Sequence, residues 1–210
     1  MKTCIIFCAA EFDCLVQPIE PDHYVLAADG GLRHTKALGI TPDGILGDFD
    51  SLGYVPQDSR VFPVEKDDTD AMLAVRQGLQ AGCDSFILYG GMDGERLDHT
   101  VANFQLLGFL ASRGAQGYLV GKKYLATVLR SGGLTFPASC TGIVSVFCQG
   151  ETARGVTLQG LKYELNNGTL TTDFPLGVSN AFCGTEATVR VEQGSLLILW
   201  DRCCGFPTRL

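Results

Sequence analysis

The feature that most constrains the fold of this chain is the alternation of short apolar runs with helical stretches across its first half. Buried strands are predicted at residues 4–10, 24–28, 44–47, 86–89 and 117–120. Helices are predicted just before residue 39, at residues 70–80 and at residues 100–110. The second is predicted to have Met72, Val75 and Leu79 on one face, and the third to turn Val101, Phe104 and Leu107 or Gly108 inward. Because strands that alternate with helices pair in parallel, we expect an α/β domain at residues 1–123, with a mostly parallel sheet and flanking helices.

The second half of the chain has a different pattern. Strand-like runs at residues 142–147, 168–172, 187–191 and 196–200 are separated by Gly, Asn and Pro, and helical periodicity is absent. The run Asn166-Asn167-Gly168 is typical of a hairpin turn. We therefore expect a C-terminal all-β sandwich or barrel domain at residues 124–210.

Composition argues against several classes of protein. Hydrophobic residues make up 46% and charged residues 19% of the 210, as in ordinary globular proteins. Nothing near the N-terminus resembles a targeting signal, and no apolar run approaches the ~20 residues that span a bilayer, so we expect no membrane partner. The nine cysteines include no paired CxxC motifs, which argues against a zinc site and fits a reducing cytoplasm.

Negative charge is concentrated in the first half of the chain. Residues 1–105 carry 17 acidic and 7 basic side chains, whereas residues 106–210 carry 6 acidic and 9 basic ones. Such an acidic surplus argues against a nucleic-acid partner. Of the 15 aspartates, 13 lie in the first half. Asp is a poor residue for helix surfaces, but its short side chain suits loops that coordinate metal ions.

The aspartates occur where predicted strands end and predicted helices begin. They form four groups: Asp29; Asp48 and Asp50; Asp67, Asp68 and Asp70; and Asp98. In an open parallel sheet, ligands bind beyond the carboxyl ends of the strands. We therefore expect the four groups to converge on that edge. Spacing by two residues is also expected to place Asp48 and Asp50 on one face of an extended segment.

Crowded carboxylates need compensation. Two of them about 4 Å apart repel by around 4 kcal/mol at an effective dielectric of about 20. Hard oxygen ligands select Mg²⁺ or Ca²⁺ over zinc, and Mg²⁺ is held by a few carboxylates together with substrate phosphates. The acidic groups therefore indicate metal-assisted chemistry on a phosphate ester.

Each acidic group also has a structural interpretation. Asp29 precedes two glycines and could be a turn residue. Asp68 or Thr69 could cap the helix at residues 70–80, and Asp98 could cap the next helix. An Asp-x-Asp pair alone is shared with glycosyltransferases and phosphatases. The four groups together are the stronger signal.

Glycines are placed where a phosphate could approach the backbone. Gly30 and Gly31 precede a helix whose free N–H groups would face an anion. Gly90 and Gly91, with Gly94 shortly after, form a second such loop. Neither loop matches a Walker or dinucleotide-binding pattern, and both could be turns.

In their order and spacing, these motifs closely resemble those of thiamine pyrophosphokinases. The matching segments are residues 28–31 (ADGG), 39–51 (GITPDGILGDFDS), 66–70 (KDDTD), 96–103 (RLDHTVAN) and 173–180 (DFPLGVSN). The resemblance implies an N-terminal domain that binds ATP and Mg²⁺ and catalyses the reaction. It also implies a C-terminal domain for thiamine binding and dimerisation, in a homodimer that holds thiamine between its subunits. The implied reaction transfers pyrophosphate from ATP to the thiamine hydroxyl, giving thiamine diphosphate and AMP.

The resemblance also implies roles for individual residues. The implied catalytic and metal-binding residues are Asp48, Asp50, Asp70 and Asp98. Those implied to bind ATP or its phosphates are Asp29, Gly30, Gly31, Asp67, Arg96, Asn103 and Gln105, and those implied to contact thiamine are Ser179 and Asn180. The proton acceptor is expected to be Asp70 or Asp98. The only tryptophan, Trp200, could stack on thiamine or belong to a strand core.

Two other functions remain open from sequence alone. A metal-dependent nucleotide-sugar transferase could use Asp48 and Asp50 as its Asp-x-Asp motif. A nucleotide- or thiamine-binding regulator without catalytic activity would have little reason to keep so costly a set of acids. Assaying the protein with ATP, Mg²⁺ and thiamine for AMP and thiamine diphosphate separates the three.

Overall fold

A computed structural model describes residues 2–50, 52–63 and 67–210 of the chain. The chain forms two compact units, each of which is described by itself. The first comprises Met1–Leu106 and Gly114–Lys122, and the second comprises Leu107–Arg113 and Lys123–Leu210.

The first unit contains a parallel sheet. Its strands are β1 (Thr3–Phe7), β2 (Tyr24–Ala28), β3 (Gly44–Gly47), β4 (Arg60–Val61), β5 (Ser85–Tyr89) and β6 (Gln116–Val120). Their order across the sheet is β6-β5-β1-β2-β3-β4, and every pairing between them is parallel. Every residue of β5 and β6 is buried, as expected for strands covered on both faces. The carboxyl ends of all these strands therefore lie along one edge.

Helices α1 (Leu32–Ala37), α2 (Asp70–Gln80) and α3 (Leu97–Ser112) connect the strands. Helix α2 has the predicted bounds, and the Thr69 hydroxyl caps it by accepting a 3.2 Å hydrogen bond from the Met72 N–H. The apolar face predicted for it is only partly buried. Of Met72, Val75 and Leu79, only Val75 is buried, and the face against the sheet consists of Ala71, Ala74, Val75 and Gly78.

Small residues explain this difference, because they let helix α2 lie close to the sheet. A β-carbon placed on Gly78 would lie 2.6 Å from Phe86 Cε1 and 2.9 Å from Cys4 Sγ. Real β-carbons do not approach other atoms so closely, so the helix can take this position only with glycine at residue 78. The larger Met72 and Leu79 flank the contact and are half-buried.

Helix α3 begins three residues earlier than predicted. Val101, predicted to face inward, is 50% exposed, whereas Asn103 and Leu106 are buried. A search for apolar residues misses Asn103, which is buried because its side chain hydrogen bonds to a backbone carbonyl. Among the described residues, no helix is long and apolar enough to cross a bilayer.

From Tyr124 onward the second unit is built of antiparallel strands. They are β7 (Tyr124–Phe136), β8 (Ile143–Cys148), β9 (Thr152–Gln159), β10 (Leu165–Thr171), β11 (Asn180–Ala181), β12 (Ala187–Asp201) and β13 (Thr208–Arg209). Strand β12 is the centre of the arrangement and pairs with β7, β8 and β9. The predicted fold class is confirmed: a parallel sheet with helices, followed by an all-β region.

The predicted hairpin turn at Asn166-Asn167-Gly168 is wrong. These residues lie inside β10, and the turn that joins β9 to β10 is at residues 160–164. The pairing with β9 shifts register on both sides of Gly168, and Asn167 has a φ of 51°. The conformational freedom that the sequence signals is used for a bulge within a strand.

Trp200 belongs to the core of the second unit. Its side chain is 0% exposed and lies edge-on to Phe136, with ring centroids 5.4 Å apart. The indole N–H donates a 2.9 Å hydrogen bond to the Gly205 carbonyl. Of the two roles considered from sequence, the structure therefore supports a core residue.

The cap of helix α2 gives a test of this fold. Thr69→Ala removes the acceptor of the Met72 N–H and should lower the free energy of unfolding by about 1 kcal/mol. Thr69→Ser keeps the hydroxyl and should unfold close to wild type. Urea denaturation of the three proteins measures both effects. Equal stability of Thr69→Ala and wild type would show that the cap contributes nothing.

Candidate active site

A cavity of about 1010 Å³ opens at the carboxyl edge of the parallel sheet. Residues that directly follow the strands line it: Cys8 after β1, Asp29 after β2, Asp48 after β3, Gly90 after β5 and Lys122 beyond β6. All of its lining residues belong to the first unit. The topology of a parallel sheet therefore brings together side chains that are far apart in sequence.

Three carboxylates form a cluster in this cavity. Asp29, Asp48 and Asp50 each offer an oxygen, and these oxygens lie within 4.8 Å of one another. Asp29 and Asp48 are half-buried and Asp50 is exposed. At this separation each pair repels by roughly 3 kcal/mol at an effective dielectric of about 20, and by less where water screens Asp50.

Backbone geometry holds the cluster together. Asp29 begins a 3₁₀ helix directly after β2 and has a φ of 46°, in the left-handed region that few residues adopt. Gly47, the last residue of β3, lies against it: a β-carbon on Gly47 would be 3.0 Å from Asp29 Cα. The absence of a side chain at Gly47 thus allows the ends of β2 and β3 to approach each other.

Asp48 and Asp50 come together in a different way from the one predicted. The segment is not extended, because Phe49 has a φ of 60° and turns the chain sharply. The Phe49 side chain is only 2% exposed, and its burial holds the turn in place. The Asp50 N–H points back to Asp48 Oδ1 at 3.4 Å. The two carboxylates therefore meet across a turn.

The third acidic group precedes and begins helix α2. Asp67, Asp68 and Asp70 all line the cavity. Asp68 forms an ion pair with Arg76 of the same helix at 2.8 Å, whereas Asp70 is half-buried in the first helical turn. The motif residues Ser51 and Lys66 lie outside the described residues.

Arg96 lines the cavity, and Asp98 is its partner. The Arg96 guanidinium donates two hydrogen bonds to the Asp98 carboxylate, at 2.5 and 3.2 Å. These bonds lower the pKa of Asp98 and raise the pKa of Arg96, so both stay charged at neutral pH. Asp98 is exposed and is not among the residues that line the cavity. Its predicted role as a metal ligand stays a prediction.

The loop at Gly90–Gly94 forms one wall and is held at several points. The buried Asn103 side chain donates a 2.6 Å hydrogen bond to the Gly91 carbonyl. Asp93 accepts a 2.7 Å hydrogen bond from the Lys122 N–H, and Ala10 N–H donates to the Gly90 carbonyl at 3.1 Å. Asn103, predicted to bind the nucleotide, thus positions this loop and also lines the cavity.

Three other residues, predicted to bind ATP or its phosphates, lie outside the lining of the cavity. Gly30 and Gly31 are buried in the 3₁₀ helix and do not line the cavity. A β-carbon on Gly31 would lie 1.9 Å from the Phe7 carbonyl oxygen, so this glycine allows close packing against β1. Gln105 is exposed and also lies outside the lining.

Sequence reasoning missed several lining residues, among them Arg33, Lys122 and Cys8. Cys8 and Lys122 follow strands, so the rule that identified the aspartates could have found them. Burial, and then the nearby Asp70 carboxylate, raise the pKa of the Cys8 thiol to about 12. At neutral pH this thiol is therefore protonated and unsuited to act as a nucleophile.

The balance of charge indicates what the cavity can accept. Among its described lining residues, nine are Asp or Glu, and three are cationic: Arg33, Arg96 and Lys122. A polyphosphate would be repelled by this surface unless cations came with it. The oxygen donors of the Asp29, Asp48 and Asp50 cluster are of the type that Mg²⁺ prefers. The residues present therefore fit a hard divalent cation.

The residues expected to contact thiamine lie in the second unit. Ser179 is exposed, with a φ of 58°, whereas Asn180 is buried. The Asn180 amide donates to the Tyr163 carbonyl at 2.6 Å and accepts from the N–H groups of Tyr163 and Ala181, both at 2.9 Å. Asn180 also borders a small cavity of about 120 Å³ in this unit. Its side chain thus fastens the turn between β9 and β10.

Comparison with known families agrees with this geometry. The model of the thiamin pyrophosphokinase catalytic domain matches residues 16–118. The model of the thiamin pyrophosphokinase vitamin B1 binding domain matches residues 134–196. Both models describe parts of the same enzyme, and together they cover most of the chain in the order that the enzyme has them.

Individual relatives point the same way. Thiamine pyrophosphokinase of Bacillus subtilis (strain 168) is 28% identical over 185 residues, which are 83% of this chain and 85% of the relative. The crystal structure of thiamine pyrophosphokinase from Bacillus subtilis superposes with a TM-score of 0.84 at 24% identity, covering 95% of this chain and 99% of that one. The thiamin pyrophosphokinase of Geobacillus thermodenitrificans gives a TM-score of 0.76 at 26% identity, covering 96% and 97%.

The motifs, the fold and the two domain matches lead to one conclusion. The catalytic-domain match includes Asp29, Asp48, Asp50 and Asp70, which line the cavity of the first unit. This chain belongs to the thiamine pyrophosphokinase family and is an enzyme that makes thiamine diphosphate.

Proposed function

We propose that this enzyme transfers pyrophosphate from ATP to the hydroxyl of thiamine, releasing AMP, and that it requires Mg²⁺. The observation that carries the proposal is a cluster in a large cavity, in which carboxylate oxygens of Asp29, Asp48 and Asp50 lie within 4.8 Å of one another. Such a cluster is unfavourable by itself and becomes favourable when cations and phosphates bind together. We assign ATP and Mg²⁺ to the first unit on this basis.

The metal-holding residues would be Asp48, Asp50 and Asp29, with Asp70 facing the same cavity. Bound Mg²⁺ would neutralise the negative charge that builds up on the polyphosphate during transfer. Asp48 and Asp50 sit on a turn fixed by the buried Phe49, so their carboxylates are already oriented before a ligand arrives. Asp98, which the sequence predicts as a metal ligand and which lies beside Arg96, is kept as a further candidate for that role.

The cationic residues of the cavity would orient the phosphates. Arg96 presents a planar guanidinium that can bind two phosphate oxygens at once, and its hydrogen bonds to Asp98 limit its movement. Arg33 and Lys122 line the cavity elsewhere and offer further positive charge. Asn103 would act indirectly, by holding the Gly91 carbonyl and therefore the loop.

Asp70 is our choice for the proton acceptor. It lies in the first turn of helix α2, lines the cavity and is half-buried. A carboxylate at this position can take the proton of an attacking hydroxyl that is brought within hydrogen-bonding distance. Asp67 and Asp68 precede it in the sequence, and the Asp68 carboxylate is already in an ion pair with Arg76.

Thiamine is assigned to the second unit, with Ser179 as the exposed polar contact. Asn180 would support it by fixing the turn at Tyr163. A homodimer that encloses thiamine and a cytoplasmic location, both expected from sequence, stay predictions.

The Asp cluster gives the sharpest test. Asp50→Asn should reduce formation of AMP and thiamine diphosphate from ATP, Mg²⁺ and thiamine by roughly 100-fold or more, because charge stabilisation in the transition state is lost. Without Mg²⁺ the variant should be as stable as wild type or more so, since one repelling charge is gone. It should also lose most of the rise in melting temperature that Mg²⁺ gives wild type.

Asp22→Asn is the matched control. Asp22 is exposed and does not line the cavity, so this variant should retain both activity and the Mg²⁺ effect. If Asp50→Asn kept near-normal turnover, the assigned role of the cluster would be wrong. If wild type released UDP from a UDP-sugar and no AMP from ATP, the enzyme would be a nucleotide-sugar transferase. If wild type bound its ligands without turnover, it would be a regulator.

The thiamine side can be tested by two neighbouring substitutions. Ser179→Ala should raise the KM for thiamine with little change in melting temperature, because the Ser179 side chain is exposed. Asn180→Ala should lower the free energy of unfolding by about 1 to 3 kcal/mol, because the buried amide leaves the Tyr163 backbone groups without partners. Thermal melts and thiamine titrations measure both. A Ser179→Ala enzyme with unchanged KM would remove Ser179 from the site.

A further inference from the structure

The segment at residues 8–16 follows β1 and forms part of the cavity wall. Its first four residues line the cavity, and so does the loop at Gly90–Gly94, which follows β5. Neither segment is helical or part of a strand. Their positions therefore depend on the individual contacts that hold them to the sheet and to its helices.

Backbone contacts join these two segments to each other. The Cys8 N–H donates to the Tyr89 carbonyl at 2.8 Å, and the Ala10 N–H donates to the Gly90 carbonyl at 3.1 Å. Gly90 has a φ of 67°, and a β-carbon on it would lie 2.2 Å from the Ala10 carbonyl oxygen. The position of Ala10 and the position of the glycine loop therefore determine each other.

The Ala10 carbonyl is held from a further side by His34 of helix α1. The distance from His34 Nε2 to the Ala10 oxygen is 3.0 Å. A carbonyl oxygen can only accept a hydrogen bond, so the imidazole must carry a proton on Nε2 and donate it. Both the neutral Nε2–H tautomer and the imidazolium can make this bond.

Aromatic rings support the same contact. The centroid of the Phe12 ring lies 5.0 Å from that of His34 and 5.1 Å from that of Tyr89. Tyr89 is the last residue of β5 and is 0% exposed, and its hydroxyl accepts a 3.1 Å hydrogen bond from the Val16 N–H. The segment at residues 8–16 is thus fastened to the end of β5 at both of its ends, and His34 holds its middle.

The position of His34 in its helix indicates that it acts on this wall and not on a ligand. Its neighbour Arg33 lines the cavity, whereas His34 is half-buried and does not line it. The next residue, Thr35, is 0% exposed, and its hydroxyl donates a 3.0 Å hydrogen bond to the Leu32 carbonyl. Helix α1 is therefore a firmly packed support for the imidazole.

We propose that His34 is a positioning residue of the active site. By holding the Ala10 carbonyl, it fixes both segments of this wall in the arrangement that receives ATP; the inference rests on the assignment of ATP to this cavity proposed above. Without the Nε2–H donor, the Ala10 carbonyl can turn toward water and carry with it the N–H group that holds Gly90. Displacement of groups that orient a substrate, by about 1 Å, can reduce turnover by about 100-fold.

Two substitutions separate the hydrogen bond from the ring. His34→Phe keeps an aromatic ring beside Phe12 but has no donor, whereas His34→Gln has an N–H donor and no ring. His34→Phe should raise the KM for ATP by about tenfold or more and leave the KM for thiamine unchanged, because thiamine is assigned to the second unit. His34→Gln should restore the KM for ATP to within about threefold of wild type. A merely structural role would lower the melting temperature of both variants without this difference between the two substrates.

Hydrogen–deuterium exchange of the full-length proteins without ligand gives a second measurement, which does not depend on activity. In His34→Phe, exchange should become about fivefold or more faster in peptides that cover residues 8–12 and in those that cover residues 90–94. His34 is coupled to the second group of peptides through Ala10. His34→Gln should exchange as wild type does.

His23→Phe is the matched control. His23 accepts a 3.1 Å hydrogen bond from the Glu20 N–H within its own turn and does not line the cavity, so this variant should change neither measurement.

A His34→Phe enzyme with the KM of wild type for ATP, or with unchanged exchange at residues 90–94, would overturn the proposal. Equal losses in His34→Phe and His34→Gln would do so as well, since the ring and not the hydrogen bond would then be responsible. If wild type formed no AMP from ATP and thiamine, the reaction proposed above would be wrong, and the exchange measurement would still decide whether His34 holds the wall.

Discussion

The structure depends on keeping like charges close together at the edge of a parallel sheet. Carboxylate oxygens of Asp29, Asp48 and Asp50 lie within 4.8 Å of one another, a distance at which their negative charges repel. Nothing in the chemistry of aspartate favours this arrangement, so the rest of the fold must impose it. Six parallel strands, with β5 and β6 buried along their whole length, provide the rigid support that can do so.

Local backbone conformation transmits that support to the carboxylates. Asp29 and Phe49 both have positive φ values, which non-glycine residues adopt at a cost of about 1 kcal/mol or more. Burial of the Phe49 ring offsets part of this cost, because the aromatic side chain gains roughly 2 kcal/mol when removed from water. The repulsion and the backbone strain therefore occur at the same place. A ligand that carries positive charge would relieve the repulsion, so binding and structure are coupled there.

Sequence patterns predicted the parallel sheet well, because strands buried on both faces produce continuous apolar runs such as 86–89. They failed where size or hydrogen bonding outweighs hydrophobicity. Helix α2 packs through Ala74 and Gly78, which a search for large apolar residues overlooks, and helix α3 buries Asn103. The closeness of Asp48 and Asp50 was expected from an extended segment, whereas a turn produces it. Spacing in sequence can indicate that residues share a site, but the path between them is decided by tertiary packing.

Cysteines at the two edges of the parallel sheet differ in acidity. Cys8 follows β1 at the carboxyl edge, where burial and Asp70 raise its pKa to about 12 and keep the thiol inert beside the acids that line the cavity. Cys4 lies near the start of β1, where its hydrogen bond lowers the pKa of Cys83, which also lies close to Lys2. An anionic edge suppresses thiolates, while a site next to an ammonium group promotes them.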